Sequence, residues 1–284
     1  GKKKKSDSSA SAISRRKCSL CGKETPGTVT LDKVLKFATF DKLNVISGLD
    51  KKETAYGFAV CKSCYEQISS GREKVDRIMT RRGLLSDILI WAIPETVGHG
   101  EKDLFNSFLH SWGDKPGDGD IAGPGEKTEA RYFSRLAQTG QGLVFHFVFW
   151  EKNKAQEIVH LMVEDVPPER LARLESAWQK VTRECAGWKG ETDLDSALKS
   201  LYATLNAFAG KSRSDKQFFR DFALKVIGCM LREEILPVDM FKQLVVRRLP
   251  RLLYEGQAEM AALSMRYARL WVEYMYRLNE EVKP

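Results

Sequence analysis

Two short cysteine pairs constrain the fold of this chain more than any other feature of its sequence. Cys18 and Cys21 stand in "CSLCGKE", and Cys61 and Cys64 stand in "CKSC". A CxxC turn brings two thiolates onto one metal ion, and four thiolates complete the tetrahedral shell of a structural Zn²⁺. A thioredoxin-type redox pair works without a second pair. The two pairs together predict a four-cysteine zinc site, and a redox pair or unliganded thiols are the alternatives.

The segment between the two cysteine pairs is longer than in a usual zinc ribbon. It runs over residues 22–60, which is 39 residues, whereas the common spacing is about 15–20. The stretches "TVTLDKVLKFATF" and "TAYGFAV" are rich in β-branched and aromatic residues and read as strands. We therefore expect the insertion to fold onto the ribbon as a hairpin. A closed site of four cysteines has no open coordination position, so its predicted role is structural.

Charge and hydropathy narrow the class of protein. The chain has 284 residues and a net charge of +8. Seven cations and one acid fall within residues 1–17, and residues 1–16 are expected to form a disordered basic arm that is either solvated or in contact with phosphate. The sequence has neither a membrane-length apolar run nor a secretory signal, so we expect a cytoplasmic protein without a membrane partner. The first residue is Gly, which suggests a processed product or part of a longer polypeptide.

The order of the patterns predicts an α+β fold with three parts after the arm. Residues 17–82 form the zinc-ribbon module, which ends in a helix over 65–82. Residues 83–190 form an α+β domain, with a buried strand at 84–95 and a β-hairpin whose strands are 142–150 and 155–164. Residues 191–284 form an all-α bundle. The fold class is therefore a four-cysteine zinc-ribbon module inserted in a small mixed α/β region and followed by a C-terminal helical bundle.

The bundle prediction depends on helix signals in the last third of the chain. Asp193 can cap the helix that follows it, and Gly210 can end that helix. A later helix is expected to be interrupted at Pro250. The last helix carries Leu263, Tyr267, Leu270, Trp271, Tyr274 and Leu278 on one stripe, which is expected to pack inside the bundle.

The sequence does not contain a convincing catalytic constellation. Its four histidines show no HxxxH or HExxH spacing, and two of them, His146 and His160, are expected to be hydrogen-bonded residues of the hairpin. No phosphate-binding GxxxxGK[ST] loop and no GxSxG elbow occurs. We therefore expect the chain not to be an enzyme.

A basic stretch in the last two helices is the candidate nucleic-acid surface. Residues 242–277 hold seven cations against three acids. Arginine predominates, and its guanidinium matches phosphate geometry in a bidentate way. The alternative is an ordinary solvated helix face. The candidate residues are Arg247, Arg248, Arg251, Arg266, Arg269 and Arg277.

The chain resembles the large subunit of type I-B CRISPR effector complexes, the multisubunit Cascade. The resemblance is carried by "CSLCGKE", by "AYGFAVCKSCYEQISSGREKV" with "LIWAIPE", and by "VFHFVFWEKNKAQEIVHLMVEDVPPERLARL". It spans roughly residues 17–180. The final helices are similar by pattern to the separate small subunit of such complexes.

This resemblance implies a non-catalytic component that anchors on neighbouring subunits and holds target DNA or its displaced strand. The implied partners are the backbone and small subunits, the crRNA, the target DNA and a recruited helicase-nuclease. Members of the family generally carry a further N-terminal domain, so recognition of the target-adjacent motif is not expected from these residues. The alternatives are a docking scaffold that binds only proteins, and an unrelated zinc-ribbon factor that binds DNA.

Overall fold

The fold is described from a computed structural model. It describes residues 16–29, 31, 34–36, 60–98, 102–113, 131–140, 142–154, 156–185, 188 and 190–282. Residues 1–15 of the predicted basic arm and most of the predicted hairpin insertion lie outside these residues, and Arg16, the last residue of the predicted arm, lies in a strand instead. No helix in the described part of the chain is long and apolar enough to cross a membrane.

The chain divides into two compact units. The cysteine unit comprises Gly1–Lys74 and Asn153–Glu157, and the main unit comprises Val75–Lys152 and Ile158–Pro284. The predicted α+β domain and helical bundle thus share one unit, and the domain limits drawn from the sequence stay predictions.

The cysteine unit begins with a small antiparallel ribbon. Strand β1 (Arg16–Lys17) pairs with β2 (Glu24–Thr25). Val29 forms an isolated antiparallel bridge with Val60, which directly precedes the second cysteine pair. Helix α1 (Lys62–Ile78) follows at once. The bridge brings the two cysteine pairs close together although residues 22–60 separate them in sequence.

The main unit contains a four-stranded sheet. Its strands are β3 (Thr80–Leu85), β4 (Ile88–Thr96), β5 (Leu143–Asn153) and β6 (Gln156–Val166), in the order β3-β4-β5-β6. The prediction of a helix to residue 82 is wrong at its end, because α1 stops at Ile78 and the chain turns into β3. The buried side chains of Leu84 and Leu85 explain this, since they enter the core from a strand.

The two faces of the sheet are both apolar over part of its area. On β5, Phe145, Phe147 and Phe149 belong to the large core of the main unit. The alternate residues Val148 and Trp150 form a smaller cluster with Trp91 on β4. Because successive side chains of a strand point to opposite faces, one aromatic strand serves both clusters.

The remaining elements of the described part are helices. They are α2 (Lys102–Gly113), α3 (Tyr132–Ala137), α4 (Pro168–Glu184), α5 (Leu194–Phe208), α6 (Arg213–Arg232), α7 (Val238–Tyr254) and α8 (Ala258–Val282). Helices α5 to α8 confirm the predicted C-terminal helical region. The Asp193 cap is also confirmed, because its carboxylate accepts the Ser196 N–H at 2.8 Å. The predicted interruption at Pro250 is wrong, because α7 continues through this residue to Tyr254.

Large aromatic side chains fill the bundle. Trp178 on α4 lies 5.3 Å from Trp271 on α8, measured between ring centroids, and both rings contact Tyr274. The Trp271 N–H donates to the Ser200 hydroxyl, and the Tyr274 hydroxyl donates to the Leu174 carbonyl. The predicted inner stripe of the last helix is confirmed at Leu270, Trp271, Tyr274 and Leu278, which are buried, and is wrong at Leu263, which is exposed.

A buried carboxylate caps the shortest of the described helices of the main unit. Asp195, on α5, accepts the N–H groups of Tyr132 and Phe133 at 2.9 Å and that of Ser134 at 3.4 Å. Only 2% of Asp195 is exposed. The first turn of α3 is therefore satisfied by a residue about 60 positions later in the chain.

Candidate metal centre and basic surface

The four cysteines of the two pairs converge. The sulfur atoms of Cys18, Cys21, Cys61 and Cys64 all lie within 4.8 Å of one another. The Cys21 and Cys61 sulfurs are 3.8 Å apart, which is about the separation of two sulfurs in a tetrahedron with metal–sulfur bonds of about 2.3 Å. All four thiols are free rather than disulfide-bonded. This cluster could hold a metal ion.

The first pair sits in a tight turn between β1 and β2. The Cys18 N–H donates to the Lys23 carbonyl, and the Gly22 N–H donates to the Cys18 carbonyl, both at 2.9 Å. Gly22 closes the turn with φ of +70°, a left-handed conformation that glycine adopts without steric cost. This turn points the thiols of Cys18 and Cys21 to the same side.

The second pair sits at the start of α1. Cys61 precedes the helix, and its carbonyl accepts the Tyr65 N–H at 3.0 Å. Cys64 belongs to the first helical turn. The helix therefore fixes one sulfur on its first turn and the other just before it.

Hydrogen bonds shift the pKa values of Cys18 and Cys64 in opposite directions. Backbone N–H groups, first that of Cys21 and then that of Cys61, lower the pKa of Cys18 to about 6. The Cys61 N–H lies 3.3 Å from the Cys18 sulfur. By contrast, hydrogen bonding with the Cys61 side chain raises the pKa of Cys64 to about 12. A bound dication favours the thiolate form of every ligand, so metal binding at this cluster releases protons.

An ion pair that sequence reasoning missed lies in the same unit. The Arg72 guanidinium on α1 donates to both carboxylate oxygens of Glu157, at 2.7 and 3.2 Å, and to the Val34 carbonyl at 3.1 Å. Only 12% of the Arg72 side chain and 8% of the Glu157 side chain are exposed. Charge count alone could not have identified this pair, because its partners lie 85 residues apart.

Three of the six candidate arginines have partners within the main unit. Arg248 contacts Asp215 at 2.5 Å. Arg251 donates to the Ala209 carbonyl at 2.8 Å and lies 3.7 Å from Glu255. Arg277 pairs with Glu184 and with Glu273. These three side chains stabilise the bundle.

The other three candidates present their charge to solvent. Arg247 on α7 and both Arg266 and Arg269 on α8 are exposed. Within the described residues, no ion pair or hydrogen bond engages their guanidinium groups. They are therefore available to an external anion.

The prediction of hydrogen-bonded hairpin histidines is confirmed at His146, whereas the buried Nε2 of His160 has no hydrogen-bond partner in the described part of the chain. His146 Nε2 lies 2.6 Å from a carboxylate oxygen of Glu95, and the Asp165 N–H reaches its Nδ1 at 3.4 Å. His160 Nε2 lies 3.4 Å from Glu151, which accepts from Arg220.

Comparison with known protein families places the chain among the CRISPR-associated proteins. Residues 15–166 match the central domain of CRISPR-associated protein TM1802 (cas_TM1802), and this is more than half of the chain. The chain therefore belongs to that family. The matched segment contains all four cysteines of the cluster and the whole four-stranded sheet. No curated protein matches the chain, and no solved structure matches it.

Proposed function

We propose that this chain is a non-catalytic part of the large subunit of a type I-B Cascade complex. In this role it anchors on neighbouring subunits and stabilises target DNA, including the displaced strand, while the crRNA supplies sequence recognition by base pairing. The supporting observation is the closed four-cysteine cluster inside the segment that matches the CRISPR-associated family. Cleavage is left to a recruited helicase-nuclease.

The proposed metal is Zn²⁺ in a structural role. Four thiolates fill a tetrahedral shell and leave no position for water or substrate. Cys18, Cys21, Cys61 and Cys64 would hold the ion and join the β1–β2 turn to the start of α1. Metal analysis of the purified chain should give about one zinc per chain. A chain purified without bound metal, and unable to take up zinc, would contradict this part of the proposal.

The proposed DNA contact uses the exposed arginines of the bundle. A sequence-independent grip on DNA needs cations directed at phosphates, and Arg247, Arg266 and Arg269 have no competing internal partner in the described part of the chain. The paired arginines Arg248, Arg251 and Arg277 hold the helices together, and the acids they contact balance their charge.

The test replaces the three exposed arginines together by glutamate in the assembled complex. We expect weaker binding of target DNA and a shallower dependence of affinity on salt concentration, because fewer counterions are released. The matched control reverses three exposed lysines on other helices, Lys180, Lys199 and Lys225. Equal loss in both variants would indicate a general charge effect, and no loss in the arginine variant would reject this surface.

The proposed partners are tested by co-purification. The tagged chain, expressed with the genes of its complex, should retain a crRNA together with the backbone and small subunits. A chain recovered without RNA and without partner proteins would contradict the assignment to Cascade.

A specific observation also favours the second candidate, a scaffold that binds only proteins. Large apolar side chains are exposed on α7 and α8, including Val246, Leu253, Met260 and Leu263. Residues of α5 and α8 also line an apolar groove of about 470 Å³. Cross-linking of the complex to target DNA separates the candidates, because a protein-only scaffold would yield no DNA adduct on this chain. The hypothesis of a factor unrelated to CRISPR systems is set aside by the family membership.

A further inference from the structure

The turn between α5 and α6 is fixed against α7 by two arginines. Arg251 donates to the carbonyl of Ala209, the residue that follows α5, at 2.8 Å. Arg248 contacts Asp215 in the first turn of α6 at 2.5 Å, and Asp215 also accepts the Gly210 N–H. These contacts place the turn beside the C-terminal half of α7.

The packing of the α5–α6 turn against α7 brings together cations that are distant in sequence. Lys211 and Arg213 flank the N-cap residue of α6, and Arg247 lies on α7 next to Arg248. All three are exposed, and no ion pair or hydrogen bond of their side chains occurs within the described residues. Two nearby acids, Asp215 and Glu255, are already paired with Arg248 and Arg251. The surface therefore keeps an excess of about three positive charges at neutral pH.

An unusually exposed aromatic side chain lies on the same side of α7. Tyr254 is 93% exposed, more than any other large apolar or aromatic residue of the described chain. Arg247, Arg251 and Tyr254 follow one another at intervals of four and three residues, which places them along one side of the helix. The ring thus stands at the end of a row of cations, and its faces are not covered by the bundle.

We propose that this surface binds single-stranded nucleic acid, with phosphates on Lys211, Arg213 and Arg247 and a base stacked on Tyr254. The inference rests on the proposed function and extends it to three residues outside the arginine set read from the sequence. Proteins that hold single strands combine a positive track for the backbone with aromatic rings on which bases stack. A duplex keeps its bases stacked inside, so Tyr254 adds affinity only for a single strand.

The test uses the full chain and fluorescence anisotropy with a labelled oligothymidylate, a labelled oligouridylate and a duplex of equal length. Tyr254→Ala should weaken binding of both single strands by about tenfold and leave duplex binding unchanged, whereas Tyr254→Phe should retain binding. The matched control is Leu253→Ala, which removes an adjacent exposed side chain that has no ring. Because Tyr254 is exposed, its replacement should not lower the melting temperature.

The cations are tested by the salt dependence of the same binding. Lys211→Gln with Arg213→Gln should reduce the slope of log affinity against log salt by about 1.4, since each phosphate contact on a single strand contributes about 0.7. The control pair is Lys180→Gln with Lys225→Gln, two exposed lysines on other helices, which should leave the slope unchanged.

The outcomes separate this inference from the proposed function. Binding by the wild-type chain that is insensitive to Tyr254→Ala and to the paired cation substitutions overturns the inference alone. Failure of the wild-type chain to bind any of the three probes overturns the inference and the proposed DNA contact together. Photo-crosslinking to a bromodeoxyuridine oligonucleotide should label Tyr254, and labelling only at other residues contradicts the stacking role.

Discussion

The described parts of the cysteine unit and the main unit differ in how much apolar surface they bury. In the described part of the cysteine unit, the buried apolar cluster consists of Cys18, Leu31 and Val60, with a few half-buried neighbours. The main unit buries a continuous core that runs from the sheet into the bundle and includes Trp178 and Trp271. A small core rarely supplies enough stability, and a structural metal commonly adds the rest. We therefore propose that a metal ion held by four sulfur ligands does for the first unit what apolar burial does for the second.

The largest expected effect is the loss of stability of the cysteine unit when one metal ligand is removed. Cys64→Ser removes one of four thiolate ligands, and structural zinc sites contribute about 10–16 kcal/mol of apparent binding free energy in small domains. We expect loss of zinc and rapid hydrogen exchange in the first turns of α1, while exchange in α8 stays slow. Cys185→Ser is the control, because this thiol lies outside the cluster. Equal destabilisation of both units by Cys64→Ser would show that the cysteine unit does not depend on the metal site more than the main unit does.

The next effect acts on the main unit alone. Trp271→Ala removes a fully buried ring that contacts Trp178 and Tyr274, and such truncations cost about 3–5 kcal/mol. We expect the urea midpoint of the bundle to fall while the zinc content stays unchanged. Leu263→Ala, at a half-exposed position of the same helix, should cost less than about 1 kcal/mol. Loss of zinc from the Trp271 variant would contradict the expected independence of the metal site.

A smaller effect tests a polar contact of the main unit. Asp195→Asn places an amide NH₂ group among backbone N–H donors that need acceptors, and an unsatisfied buried donor costs about 1–3 kcal/mol. We expect the free energy of unfolding to fall by this amount, measured by urea denaturation. The exposed Asp239→Asn serves as the control and should change it little.

The same substitution has a predictable pH dependence. Burial raises the pKa of the Asp195 carboxyl from 3.8 to about 6, with backbone N–H groups opposing the shift. The folded chain therefore holds the Asp195 proton more tightly than the unfolded chain does. The contribution of Asp195 to stability consequently decreases as pH rises from 3.8 to about 6. The stability difference between wild type and Asp195→Asn should therefore be largest near pH 4 and smaller above about pH 6. A difference that grows over this range would contradict the assignment.

The smallest effect compares two glycines of the cysteine unit. Gly22→Ala forces a side chain into the left-handed region at φ +70° and should destabilise the metal turn by about 1 kcal/mol. Gly71 lies within α1 with open space around its Cα, so Gly71→Ala should stabilise the unit by about 0.5–1 kcal/mol. Zinc affinity measured by chelator competition should decrease in the Gly22→Ala variant and increase in the Gly71→Ala variant. Shifts of the same sign would show that backbone conformation does not limit the metal site.

The sequence predicted the parts of the fold whose signals are local. The CxxC spacing predicted the convergence of four sulfurs, and the helical stripe on α8 predicted the burial of Trp271 and Tyr274. Most of strand β3 was read as helix because "TRRGLL" has neither alternation nor a run of β-branched residues, and its last two residues, Leu84 and Leu85, were joined to β4 in one predicted strand. Pro250 was read as a break, but α7 continues through it.

The candidate basic surface was predictable only in part. Composition identified the arginines of α7 and α8, but it could not say which of them point at an acid of the same chain. Arg248 and Arg277 pair with Asp215 and Glu184, which are 33 and 93 residues away in sequence. The grouping of Lys211 with Arg247 depends on how α7 packs against the α5–α6 turn, and a tertiary contact of this kind leaves no periodic trace in the sequence.

The Asp195 cap of α3 also bears on the order in which the helices can fold during translation. An isolated helix of six residues does not persist in water, because nucleation costs more than its few hydrogen bonds return. The carboxylate that satisfies its first turn is translated about 60 residues later. At about 5–20 residues per second, several seconds pass before Asp195 is added. Until then the N–H groups of Tyr132, Phe133 and Ser134 lack this acceptor, so we expect α3 to become stable only after α5 has been made.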